Sequence, residues 1–388
     1  MVIACHALRW FRSVPGAGGG GLDRACRKGW TNPGRPRTVR EMNTTDLEMF
    51  IAGLPKCELH LHLEGTLSPE LKLQLAARNG IEIAEKTVAE VEATYEFDSL
   101  ASFLAVYYPA MNVLVTADDF RDLAYAYLTK AASQGVRYVE MFFDPQAHTG
   151  RGVPFDMVIQ GYRQAIVKAR GELGISAELI MCFLRDHTVE FAMATLMESL
   201  PYKSWIIGVG LDSDERGNPP SKFAAVFARA REEGYLLTMH CDIDQEGSIE
   251  HIRQVVEDIR VDRIDHGTNI VESSALVEEV KRRGIGLTCC PISNRFVTND
   301  MKAIEIVKLL HDGVRVTVNS DDPAYFAGYV SENFSALAAH AGLSASDVAS
   351  LARNAFEIAW LTPRAREAYI AELDAYCAAH GVPRDAPA

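Results

Sequence analysis

The sequence contains no run approaching the ~18–20 uninterrupted apolar residues of a membrane-spanning helix, so no such span is predicted. Positive charge is also scarce. Lys and Arg number 39 against 52 Asp and Glu, a net charge of −13 over 388 residues. A chain with that balance lacks the basic face that nucleic acid or an anionic membrane would require, and neither is expected as a partner. The eight cysteines, Cys5, Cys26, Cys57, Cys182, Cys241, Cys289, Cys290 and Cys377, are scattered, several within apolar runs, and no Cys-x-x-Cys pair occurs. This argues against a disulfide scaffold or a cysteine-built zinc site, and points to a reducing, cytoplasmic compartment. What is present is ordinary for a globular protein: 48% apolar and 23% charged residues, enough to bury a full core.

Residues 1–41 differ from the rest. Eight basic residues against two acidic ones, Asp23 and Glu41, give this segment +6 and leave −19 on residues 42–388. It is rich in Gly and poor in apolar pattern, so it is expected to be a disordered basic tail preceding a single domain, 42–388. Gly16 to Gly21 fits a G-x-G-x-x-G spacing, but no strand precedes it and no helix follows, which excludes a nucleotide loop. A transit peptide is the other reading of an Arg-rich, acid-poor start.

From residue 54 onward short β-rich runs alternate with long amphipathic stretches. The runs are Cys57–Leu63, Arg137–Phe143, Ala177–Leu184, Trp205–Leu211, Tyr235–Cys241, Arg263–His266, Gly286–Cys290 and Arg315–Asn319. Several are almost continuously apolar, as strands covered on both faces are. Helical patterns lie between them, for example Phe155–Glu172, Ser221–Glu233, Ile249–Ile259 and Ser273–Arg283. Gly135, Gly174, Gly234, Gly284 and Gly313 each fall where a helix should close before the next strand. Eight βα units predict a (β/α)8 TIM-type barrel. The first connection, 68–135, is too long for one helix and should place extra helices over the barrel mouth, with more helices at the C-terminus from Ser344.

Chemistry in such a barrel collects at the C-terminal ends of the strands, and here those ends are polar. His60 and His62 stand two apart on the first strand, so both point to one face. Alone they could be two hydrogen-bonded barrel histidines. With His240 and Asp321 at the ends of two further strands, they form a set of three imidazoles and a carboxylate that suits one Zn2+ or a similar ion per chain. His266, on a strand between those two, could deprotonate a water or merely support a ligand. Asp322 could turn toward a substrate or cap a helix ahead of Pro323.

Together the segments Glu58-Leu-His-Leu-His-Leu-Glu-Gly-Thr-Leu67, Phe142-Phe-Asp-Pro-Gln146, Gly210-Leu-Asp-Ser213, Arg263-Ile-Asp-His-Gly267, Cys290-Pro-Ile-Ser-Asn294 and Val318-Asn-Ser-Asp-Asp-Pro-Ala-Tyr-Phe326 resemble the adenosine/adenine deaminase branch of the amidohydrolase superfamily. The resemblance covers about residues 50–365 and is nearer to adenine deaminases than to nucleoside deaminases. It implies zinc-dependent hydrolytic deamination at C6 of a small purine substrate, most simply adenine to hypoxanthine and ammonia. It further implies that His60, His62, His240 and Asp321 hold the metal and that His266 handles the water proton. Asp322 would contact N7, and Glu64 with the main chain near Ser213 would line the pocket end away from the amine. Glu64 could instead brace the loop before Thr66.

The sequence departs from the family at one role. The usual glutamate three residues after the metal histidine, the acid for ring N1, is replaced by Ile243. Asp242 or Asp244 is expected to take over, with Glu246 the outsider. N6-substituted adenine and adenosine stand as alternative substrates, and an idle metal-binding barrel as an alternative of another class. Deleting residues 1–41 should leave melting temperature and turnover unchanged. A large loss of melting temperature in the truncated protein would show instead that the segment packs on the barrel.

Overall fold

A computed structural model of the protein describes residues 42–383, so the tail expected at 1–41 lies outside the described residues. Eight parallel strands follow one another in chain order around a barrel. They are β1 (Lys56–Glu58), β2 (Val136–Phe143), β3 (Ser176–Leu184), β4 (Ile206–Asp212), β5 (Leu236–Cys241), β6 (Arg263–His266), β7 (Gly286–Cys289) and β8 (Val316–Val318). All eight expected runs are present. Among the described residues no helix is long and apolar enough to cross a membrane.

The first strand is shorter than the run Cys57–Leu63, because its chain leaves the regular ladder after Glu58 to close the barrel. His62 N–H donates to Asp321 O at 3.0 Å, and Asp321 N–H donates to His60 O at 3.1 Å. On the other side Leu63 N–H donates to Phe142 O at 2.9 Å, and Phe142 N–H to Leu61 O at 2.8 Å. The segment His60–His62 is thus stitched by its backbone between the end of β8 and β2.

The helices form where amphipathic periodicity meets good caps. Helix Phe155–Glu172 matches its expected bounds, and its buried positions Phe155, Val158, Ile159, Tyr162, Ala165, Ile166 and Ala169 follow the helical repeat. Gly135, Gly174, Gly234, Gly284 and Gly313 all adopt the left-handed conformation that ends a helix before the next strand. The stretch Ile249–Ile259 is a short α-helix, Ser248–Arg253, running into a π-helical turn, Gln254–Ile259. The long β1–β2 connection carries helices Pro69–Asn79, Val88–Glu92, Leu100–Ala110 and Ala117–Ser133. Helices Val330–Ala341, Ala345–Ile358 and Pro363–Ala379 follow β8, as expected from the C-terminal pattern.

At the opposite end of the barrel, buried Lys56 ties two helix ends together. Its Nζ donates to Ile51 O at 2.5 Å, Leu54 O at 3.0 Å and Gln134 O at 2.9 Å. Ile51 lies in the last turn of helix Thr44–Gly53, and Leu54 and Gln134 are the residues that follow helices Thr44–Gly53 and Ala117–Ser133, where carbonyls run out of helical partners. Burial, assisted by the charge of Arg137, pulls the Lys56 ammonium down to about 7 from 10.5. The folded chain therefore gives up this proton before the unfolded chain does. The cost of holding it is present in full below about pH 7 and is relieved as pH rises toward 10.5. Lys56→Met should strand the Leu54 and Gln134 carbonyls, at about 1–3 kcal/mol each, leave Ile51 O with the Leu54 N–H alone, and lower the melting temperature by several degrees at pH 7. In paired thermal melts, the stability advantage of the natural protein over this variant should widen between pH 7 and about pH 9.5. A constant difference would refute the assignment.

Candidate active site and metal centre

The barrel closure brings four side chains together at the strand ends. Each of His60, His62, His240 and Asp321 offers one ligand atom, and all four atoms lie within 4.8 Å of one another. His60 Nε2 is 3.1 Å from Asp321 Oδ1, and His62 Nε2 is 3.1 Å from His240 Nε2 and 3.4 Å from Asp321 Oδ1. Burial holds His62 down to about 4 and His240 well below its usual value, so both present neutral, ligating rings. Burial alone would raise Asp321, but the surrounding histidines hold it well below the usual carboxylate range. The third ring, His60, is lowered by burial but raised on balance by Asp321 and Asp265. Three imidazoles beside an anionic carboxylate are the donor chemistry of a divalent site of the zinc type, and the residues present fit such an ion.

Polar groups face the outward nitrogens, though only His60 is hydrogen-bonded there. His60 Nδ1 lies 2.9 Å from Thr288 Oγ1 and 4.0 Å from Asp265. His240 Nδ1 lies 3.6 Å from Asp265 Oδ2, and His62 Nδ1 lies 3.4 Å from Asp212 Oδ2. Asp265 accepts hydrogen bonds from Thr238 Oγ1 at 2.6 Å and Thr288 Oγ1 at 2.9 Å. Below it Arg263 pairs with Glu140 and lies over the Trp360 ring. Ser293 Oγ donates to Asp321 Oδ2 at 2.6 Å, turning that carboxylate's other oxygen toward the histidines.

Three residues here hold left-handed backbone without being glycine: Ser213 (φ 70°), His266 (φ 54°) and Asp321 (φ 64°). Such conformations cost of order 1–3 kcal/mol and persist where the surroundings enforce them. At Asp321 the turn lets consecutive residues Asp321 and Asp322 both face the cavity, where a continuing strand would have sent them apart. Gly65 makes room for the second of them. A Cβ there would lie 2.0 Å from Asp322 Oδ1. No helix starts at Pro323, so Asp322 caps none, and its Oδ1 has no hydrogen-bond partner. Burial and the neighbouring Asp321 push its carboxyl well up. His266 Nε2 sits 3.7 Å from Asp321 Oδ2, its ring held down to about 4 by burial and the nearby His60.

The cluster lies at the base of a cavity that opens to solvent, with about 610 Å3 of empty space when the open mouth is included. Helix Leu100–Ala110 roofs it with Leu100, Phe103, Leu104, Tyr107 and Tyr108. Asp242, Ile243, Asp244 and Ser213 all line it, whereas Glu246 is exposed and does not. Enclosure and the neighbouring Glu215 push Asp242 well above its usual value, and its Oδ2 has no partner. Glu215 accepts the Asp242 backbone N–H at 2.6 Å, while Arg185 donates to His240 O at 2.9 Å. The start of the turn that follows β5 is therefore held on either side of Cys241.

Glu64 is placed differently from the sequence expectation. It is fully buried and absent from the cavity lining. Its Oε1 accepts from His148 Nε2 and Tyr162 OH, both at 2.9 Å, and these two partners hold it behind the wall. Its position is that of a brace. Sequence reasoning passed over Asp144 and Asp212 on the cavity wall, although both stand at the polar strand ends where chemistry was expected. It also passed over the aromatic roof, which carries no motif.

About one divalent ion per chain is expected to bind at the four ligands. Metal analysis of His62→Ala and Asp321→Ala should show it lost, and full occupancy in both would refute the assignment. Asp265→Asn should weaken metal affinity ~10- to 100-fold in competition with a chelator, without removing a ligand.

The chain has relatives among known proteins. A family model described as adenosine deaminase matches residues 55–376. An uncharacterized deaminase of Schizosaccharomyces pombe is 49% identical over 87% of this chain and 99% of its own. An adenine deaminase of Zymomonas mobilis is 48% identical over 85% of this chain and 98% of its own. Among solved structures, the adenine deaminase of Arthrobacter aurescens is 39% identical, with a TM-score of 0.80 over 84% of this chain and 99% of its own. Matched by this family model along nearly the whole domain, and by relatives at 48–49% identity, this chain belongs to the adenosine deaminase family.

Proposed function

We propose that the protein is a zinc-dependent hydrolase that replaces the C6 amino group of a free aminopurine with oxygen, converting adenine to hypoxanthine and ammonia. The observation that carries this reading is the His60, His62, His240 and Asp321 cluster at the base of a cavity open to solvent, flanked by His266 and Asp322. Full-length relatives named adenine deaminases support the choice of adenine.

A divalent ion bound by the four ligands supplies the lowered water pKa, from ~16 toward ~7, that makes hydroxide available near neutral pH. The chain's own residues then have distinct tasks. His266, neutral because it is buried, takes the proton that water loses. Asp322, its Oδ1 free and its carboxyl pushed toward the protonated form, donates to N7 of the ring. Addition of hydroxide at C6 would build an anion unless ring N1 gains a proton. Ile243 has none to give, and Asp242 and Asp244 on either side of it in sequence both reach the cavity. Asp242 is the better placed, because Glu215 and Arg185 fix its turn. The amine leaves as ammonia once protonated, and the ring keeps the oxygen.

A second reading has its own observation. Ile243 joins Leu100, Leu104, Phe103, Val297 and Phe326 in an apolar lining, where an alkyl group on the amine could be sheltered. An N6-substituted adenine would give the same hypoxanthine and release an alkylamine.

The test is turnover of adenine, N6-methyladenine, N6-butyladenine and adenosine by the zinc-loaded protein, followed as hypoxanthine or inosine. Adenine or an N6-substituted adenine should exceed adenosine by at least ~100-fold in kcat/KM. Comparable values would refute the free-base reading. Asp242→Asn, or its double variant with Asp244→Asn, should lower kcat by ~100- to 10,000-fold while metal content stays constant. Normal turnover by both single variants and the double variant would place the acid elsewhere.

A further inference from the structure

The cavity wall formed by the ends of β2 and β4 has an unusual surplus of acceptors. Asp144, 1% exposed, has no hydrogen-bond partner at Oδ1, and Asp212, 3% exposed, has none at either carboxylate oxygen. Both line the cavity, and a carboxylate oxygen of each lies within 4.8 Å of the other and of a His62 ring nitrogen. Asp212 already faces the His62 ring at 3.4 Å. Asp144 and Asp212 turn carboxyl oxygens toward each other, and Asp144 Oδ1 is left without a donor. A buried carboxylate oxygen with no donor carries a desolvation cost that a ligand N–H can offset.

Behind Asp144 the wall is closed. Its backbone N–H points to Glu64 Oε1 at 3.4 Å, and Glu64 is tied in turn to His148 and Tyr162. All three of these side chains are fully buried. A substituent larger than hydrogen, directed at Asp144, would meet this packed cluster.

An aminopurine with C6 over the metal ligands turns its N3–C4–N9 edge away from them. On that edge a free base carries an N–H, and a nucleoside carries a carbon. We propose that Asp144 selects the free base by accepting this azole N–H. The inference rests on the deaminase reading above and names the residue that sets its substrate class. From sequence the carboxylate near this end of the pocket was Glu64; the geometry moves the contact one layer inward, to Asp144.

The experiment compares inhibition by hypoxanthine and by 9-methylhypoxanthine, which differ only at the azole nitrogen. It uses the zinc-loaded natural protein, Asp144→Asn, Asp144→Ser and Glu64→Gln, with adenine turnover, metal content and melting temperature recorded for each. The natural protein should prefer hypoxanthine by at least ~100-fold, as sites built around a substrate N–H do. Asp144→Ser should cut that preference at least tenfold and raise adenosine kcat/KM relative to adenine, with metal content unchanged. Asp144→Asn, nearly isosteric, should lower the preference in the same direction, and Glu64→Gln should keep it within about threefold of the natural value. Equal inhibition of the natural protein by both compounds, which needs no variant, overturns the proposal. So does a preference that survives in both Asp144 variants, and its collapse in Glu64→Gln alone returns the role to Glu64. Absence of turnover on any 6-aminopurine overturns the deaminase reading and this inference with it. Turnover with an unchanged preference overturns only the role of Asp144.

Discussion

The convergence of His62 Nε2 and His240 Nε2, 3.1 Å apart beside Asp321, is the constraint around which the site is organised. Their placement is set from outside the rings. Backbone hydrogen bonds stitch His60–His62 into the seam between β8 and β2, and Asp265 and Asp212 face the outward nitrogens. Beneath them Arg263, Glu140 and Trp360 fill the barrel interior with a paired charge rather than with aliphatic packing. An isolated charge at that depth would cost several kcal/mol, so each member of this column depends on the next. The consequence is a rigid floor whose ligands are oriented before any ion arrives.

Above the floor the electrostatics divide. The histidines hold Asp321 anionic, while Asp322, one residue on, is pushed toward the neutral acid. Adjacent carboxyls with opposite tendencies are what a site needs when one must ligate and the other must donate. The left-handed turn at Asp321 and the missing side chain of Gly65 are the backbone conditions for that division.

Much of this was legible in the sequence, and for identifiable reasons. Doubly covered strands are continuous apolar runs, and glycines in the left-handed conformation mark the helix ends, so the eight βα units could be counted. The metal set could be read because strand parity and strand-end position are local properties, as with His60 and His62. The difficulties began where function depends on what lies behind a side chain. Glu64 and Asp144 are both acids near strand ends, and only packing shows that His148 and Tyr162 pull the first away from the cavity while the second is left facing it. The roof from helix Leu100–Ala110 was foreseeable as extra helices over the mouth, but its aromatic lining depends on long-range packing that no motif announces. The shortness of β1 belongs to the same class, since it follows from barrel closure.

The seam that closes the barrel joins His60 to Asp321, residues 261 positions apart. A chain emerging from the ribosome carries the first two histidines almost from the start and the third two-thirds of the way through, yet it lacks the carboxylate until β8 has been made. Contacts of such separation form late, because their loop-closure entropy is offset only after the intervening units have docked. The complete ligand set therefore exists only in a chain that has been synthesised through β8 and has closed its barrel. Metal occupancy becomes a record of finished folding, and fragments ending before β8 are denied both the ion and the hydrolytic chemistry it supports.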